Sequence, residues 1–164
     1  MLELIRFQWG VPSIYRTAST RDEFRRVINE WVKAKYRSYP ILYLGFHGFR
    51  GGIQIGTEHI PVIDLFELAG KGRGRVIHFG ACETVKAPKR FFDQFLKMTG
   101  FTAVCGFRNE VDWLHSTALE ILILDELSKR KVSPRSIRAF QTELQRMAGS
   151  LTRHLGFHVW TKSG

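Results

Sequence analysis

The chain has 164 residues, 44% hydrophobic and 24% charged, a balance that suits one globular domain over residues 1–164 and is foreign to a disordered chain. No run approaches the roughly 20 apolar residues that a bilayer-spanning helix needs, and residues 1–6 carry no basic region leading into an apolar run, so a cytoplasmic protein without membrane contact is expected. Lys and Arg total 25 against 15 Asp and Glu, a formal charge of +10; this leaves acidic partners open, nucleic acid among them, but no motif selects one.

Taken in chain order, residues 4–9 read as a short strand, interrupted by Gly10, Pro12 and Ser13. A helix is expected from Thr20 to Tyr36, because Thr20 and Glu23 have capping-box spacing and Phe24, Val27, Ile28, Trp31 and Val32 recur at helical intervals. Residues 41–46 form a continuous apolar run of the kind found in strands covered on both faces, ending at His47-Gly48. Gly51, Gly52 and Gly56 then punctuate a hairpin that turns Ile53, Ile55 and Ile60 inward. Pro61 opens a short helix carrying Val62, Leu65, Phe66 and Leu68.

The pattern then repeats. Residues 75–80 are a second buried strand that delivers Ala81-Cys82-Glu83, before an amphipathic segment with Phe91, Phe92, Phe95, Leu96 and Met98. Residues 102–107 are a third, followed by a loop and an apolar helix containing Leu119, Ile121, Leu122, Leu124 and Leu127. Ser133-Pro134 starts another helix, with a hydroxyl at the N-cap and proline at the first helical position, and residues 157–160 return as a strand. Strands alternating with helices imply an α/β fold, a three-layer sandwich around a mostly parallel sheet.

Ligands in such sheets gather beyond the carboxyl ends of the strands. Two strands there end in reactive residues, His47 and Cys82, each beside a small residue that lets a substrate backbone approach. An imidazole can promote the thiolate of a cysteine or protonate a leaving amine. The same residues also suit a small buried structural cysteine and a hydrogen-bonded histidine, and composition and spacing alone favour that structural reading.

The segments Leu42-Tyr43-Leu44-Gly45-Phe46-His47-Gly48 and Val76-Ile77-His78-Phe79-Gly80-Ala81-Cys82-Glu83 resemble the caspase-like cysteine peptidase superfamily, in particular its bacterial caspase-like and CHAT-related branch. The resemblance spans roughly residues 41–127. It implies a caspase-like fold and a cysteine endopeptidase acting on a protein or peptide substrate, with Cys82 as nucleophile, His47 as proton-transfer partner, and the N–H groups of Gly48 and Cys82 stabilising the oxyanion. By position, Asp112 resembles the acid that some members place in the first specificity pocket, where it would select a basic residue; the alternative is that it caps the helix beginning at Trp113. Gly80 stands where many metacaspase-like sequences have aspartate, and the fuller caspase pentapeptide is missing, so cleavage after aspartate is not implied. A role as a bacterial stress or defence effector, and control by a regulatory protein, belong to the same resemblance.

The remaining candidates are weaker. Glu83 suits a helix start, and His78 a hydrogen bond in the core. His59, His115, His154 and His158 share no spacing that specifies zinc, and the glycines at 45, 48, 51, 52 and 56 lack the Lys-Ser/Thr ending of a phosphate loop. Neither a metal nor a cofactor is expected. Two other readings stay open: a different cysteine-dependent acyl transfer, and a non-catalytic module that binds through a basic surface including Lys71, Arg73 and Arg75.

Overall fold

The computed structural model describes residues 6–7, 10–68 and 70–161, without the side chains of Phe66 and Leu68. Of the strand expected over residues 4–9, Arg6 and Phe7 are helical and the others lie outside the described residues. The first long helix, α1 (Arg21–Trp31), begins where Thr20 accepts a hydrogen bond from the Glu23 N–H. Glu23 in turn accepts from Ser19 N–H rather than from Thr20, so the capping box is displaced by one residue. α1 stops short of the expected Tyr36, and a separate 3-10 turn covers Ala34–Tyr36.

The continuous apolar runs become the main sheet. Strands β1 (Ile41–Leu44), β5 (Val76–Phe79) and β6 (Ala103–Phe107) are mutually parallel, and β7 (Phe157–Thr161) closes the far edge antiparallel to β6, in the order β1-β5-β6-β7. β5 and β6 are buried along their whole length, because helices cover both faces of the sheet. On one face, α1 and α2 (Lys89–Thr99) enclose Phe24, Ile28, Trp31, Phe92, Phe95 and Leu96 with Ile77 and Phe79. On the other, α3 (Trp113–Ser128) and α4 (Pro134–His154) pack Leu119, Ile123, Ile137 and Phe140 against Val76 and Cys105. The result is a mixed α/β fold with a mostly parallel sheet. The start of α4 is fixed as its sequence implies: Ser133 and Ser136 cap each other reciprocally, with Pro134 at the first helical position.

β7 reaches across the sheet to the first core, where Trp160 stacks on the fully buried Phe92 at 5.0 Å between centroids. A smaller antiparallel sheet, β2 (His47–Phe49), β3 (Gly52–Ile55) and β4 (Glu58–Pro61), leaves from the end of β1. The expected hairpin is therefore three-stranded, because His47, Gly48 and Phe49 pair with Gln54, Ile53 and Gly52. Ile53, Ile55 and Ile60 are buried, as their alternation implies. A 3-10 helix over Val62–Leu68 buries Val62 and Leu65; the side chains of Phe66 and Leu68 lie outside the described residues. Among the described residues, no helix is long and apolar enough to cross a membrane.

Candidate functional site

Leu44 and Phe79 are opposite each other in the parallel register, and Gly80 N–H donates to Leu44 C=O at 3.0 Å. The chain therefore leaves β1 and β5 at the same end of the sheet. From β1 it runs into His47-Gly48, and from β5 into Ala81-Cys82. These two exits touch: a Cβ on Gly48 would lie 2.0 Å from Cys82 O, 2.6 Å from Cys82 N and 2.9 Å from Ala81 C. Only a residue without a side chain allows two backbones to approach this closely. His47 is exposed, and its ring makes no hydrogen bond among the described residues; Cys82 is half-buried.

The turn carrying Cys82 is pinned from two sides. Glu83 N–H donates to Asn109 C=O at 3.1 Å, and Gly51 N–H donates to Glu83 C=O at 3.2 Å. The buried Thr84 hydroxyl lies 3.2 Å from the carbonyls of Gly52 and Cys82. Cys82 Sγ accepts from Val111 N–H at 3.5 Å, which seats the thiol against the loop between β6 and α3. Glu83 has φ of 52°, the one positive value for a residue other than glycine among the described residues. Its left-handed backbone reverses the chain directly after Cys82, in place of the helix start suggested for it, and such outliers concentrate at functional sites. The Cys82 N–H donates to no group among the described residues.

Asp112 is the N-cap of α3. Its carboxylate accepts from His115 N–H at 2.8 Å and lies 2.8 Å from His115 Nδ1. These bonds favour the ionised form and hold the carboxyl below its ordinary range, the backbone N–H of His115 contributing most. The capping contribution is therefore complete above the unfolded-state value of about 3.9 and is lost as pH falls through the lowered folded value. Asp112→Ala should lower the melting temperature at neutral pH, while Asp112→Asn, which keeps the acceptor, should stay close to wild type. Beyond it, Trp113 and Leu114 stand 81% and 67% exposed, an apolar rim two and three residues from Val111 that the sequence did not mark.

A second cysteine and histidine lie beneath this site. His78 Nδ1 is 3.4 Å from Cys105 Sγ, and His78 Nε2 is 3.5 Å from Glu120 Oε1, beyond hydrogen-bond geometry. Tyr43 donates its hydroxyl to Glu120 Oε2 at 3.0 Å. The His78 core role is thus filled by register, since His78 pairs directly with Cys105 across β5 and β6. Glu120, by contrast, sits in an apolar run that gave no sign of it. His78, Cys105 and Glu120 are 0%, 1% and 5% exposed, so no substrate reaches them. Burial, with the Glu120 charge nearby, pushes the Cys105 thiol far up, and burial likewise raises the Tyr43 hydroxyl.

Two outcomes follow. In the native protein, iodoacetamide should label Cys82 and leave Cys105 unmodified until denaturant is added, a difference that peptide mapping reads directly. Glu120→Ala should cost about 1–3 kcal/mol in denaturant unfolding, because it strands the Tyr43 hydroxyl that donates to Glu120 in the interior. Glu120→Gln, which retains an acceptor for Tyr43, should cost less.

Of the three residues named for a basic surface, Arg75 is not on it. Its side chain is turned inward over the Trp31 ring and donates to the carbonyls of Val32, Lys33 and Tyr36. Among the described residues, no group of three or more His, Cys, Asp or Glu side chains could hold a metal. No curated protein matches the chain. Residues 1–161 match a family described as a family of unknown function (DUF6642), and the chain belongs to that family.

Proposed function

We propose that this protein is a caspase-like cysteine endopeptidase, a three-layer sandwich whose nucleophile is Cys82 and whose proton-transfer residue is His47. The observation that carries the reading is the backbone contact of Gly48 with Ala81 and Cys82, at the end of the sheet where the two motifs emerge. Burial favours this pair over the other cysteine and histidine: Cys105 and His78 are sealed in the core, whereas His47 is exposed and Cys82 is half-buried.

In the proposed reaction His47 takes the proton of the Cys82 thiol, and the resulting thiolate Sγ attacks a peptide carbonyl carbon. The new S–C bond pushes the carbonyl electrons onto oxygen, where the N–H groups of Gly48 and Cys82 would receive the charge. Collapse re-forms the carbonyl, breaks the C–N bond and expels an amine that takes a proton from His47. His47 then removes a proton from water, the resulting hydroxide attacks the thioester, and the acid and free thiol are released. Trp113 and Leu114 offer apolar contact for residues flanking the scissile bond. Asp112 would favour a basic residue before it, and its 49% exposed side chain leaves room for such a contact beside the capping bond. Action on protein substrates in the cytoplasm, under a regulatory partner and within a stress or defence response, completes the proposal.

The test is cleavage of a varied peptide library, together with labelling by a peptide-directed thiol electrophile. Cleavage enriched after Lys or Arg, with the label on Cys82, is expected. Absence of cleavage across the library, or cleavage that persists after Cys82 is blocked, would sink the assignment.

A further inference from the structure

At the other end of the sheet, where β1 and β5 begin, the cations are distributed unevenly. Lys33 and Lys35 are both paired with Glu30. Arg37, Lys71, Arg73 and Arg75 have no carboxylate partner among the described residues, yet all four line one cavity of about 220 Å³ with Val32, Ala34 and Gly74. Arg75 forms a fixed base, 6% exposed and held by the three carbonyls of the 32–36 segment. Its guanidinium is held below its ordinary range, first by burial and then by repulsion from Arg37.

The loop that presents Lys71 and Arg73 is tied to the end of α2. Gly70 N–H donates to Met98 C=O, and Gly72 N–H to Thr99 C=O, each at 2.8 Å. Gly72 is packed so tightly on Phe101 that a Cβ would lie 2.4 Å from its ring. Four like charges have therefore been gathered without a carboxylate counterion among the described residues, Lys71 Nζ donating to Asn29 Oδ1 at 3.4 Å. An anion entering the cavity would relieve their repulsion and meet guanidinium forks suited to phosphate oxygens. A concavity of this size admits a small ligand more readily than the continuous backbone of a polymer.

We infer that the cavity lined by Arg37, Lys71, Arg73 and Arg75 is a binding site for a small phosphate-bearing molecule. The inference does not rest on the peptidase reading, since the site lies at the opposite end of the strands from Cys82.

Titration calorimetry of the full chain with inorganic pyrophosphate, at constant physiological ionic strength, tests it. Saturable binding is expected, and Arg37→Gln combined with Arg73→Gln should weaken it about tenfold or more, as lost charge-assisted bonds imply. Arg75 is left intact in that variant because it anchors the fold. Arg108→Gln with Arg153→Gln, which removes the same charge elsewhere, should leave the affinity within about twofold. Circular dichroism checks that each variant is folded, and Lys71→Gln serves as the second variant if the double one is not. Three results would overturn the site: no saturable binding, equal weakening by both arginine pairs, or single-stranded RNA that binds through Arg37 and Arg73 and is not displaced by pyrophosphate.

Discussion

Cys82→Ala is expected to lower peptide hydrolysis by about 10³-fold or more while leaving the melting temperature nearly unchanged. The side chain is half-buried, and among the described residues its polar contacts are the weak ones with Val111, so its removal takes little from the core. His47→Ala should cause a comparable loss, because in the proposed mechanism thiol and imidazole work as one unit. The double variant should be scarcely worse than either single one. Additive losses would mean that the two side chains act separately, which the proposed mechanism does not allow. Cys105→Ala provides the contrast: it should retain activity and lose stability, since that thiol is packed in the interior.

Gly48→Ala is the second large effect, and it arises from the backbone. A methyl group there would meet Cys82 O at 2.0 Å and Cys82 N at 2.6 Å. The Cys82 turn has little freedom to retreat, being tied to the 49–52 loop on one side and the 108–111 loop on the other. Overpacking of this kind costs about 3 kcal/mol or more when the obstructing atoms are main chain. A loss of that size in a domain of this length lowers the midpoint of thermal unfolding by about 6–12 °C. Where the variant remains folded, a shift of about 1 Å between His47 and Cys82 should still reduce turnover about 10²-fold. A melting curve superimposable on wild type would refute the close approach of the two segments.

The parts of the fold legible in the sequence are those in which one local signal fixes the outcome. Continuous apolar runs at residues 41–46, 75–80 and 102–107 identify strands buried on both faces, and the cap at Ser133 places the start of α4. The two ends of the candidate site were visible for the same reason, as short reactive motifs that terminate such runs. What was not legible depends on register and packing direction. The pairing of His78 with Cys105 is set by how β5 and β6 align. Glu120 is buried in an apolar helix because Tyr43, on a distant strand, points a hydroxyl at it. Arg75 looks like one more surface cation until the helix-terminal carbonyls of Val32 and Lys33 turn it inward. His47 belongs to a strand of its own because Gln54 pairs with it, a partner that no local pattern reveals.

The placement of β7 bears on how the molecule is made. Synthesis produces β1, β5 and β6 in the order in which they lie in the sheet, but the antiparallel strand that covers β6 emerges after both helices of the second face. Until then the edge of β6 is unpaired and Phe92 lacks the indole of Trp160 that stacks on it. A ribosome-bound intermediate of this protein therefore displays an open strand edge and an uncovered aromatic, the features that chaperones hold and aggregates exploit.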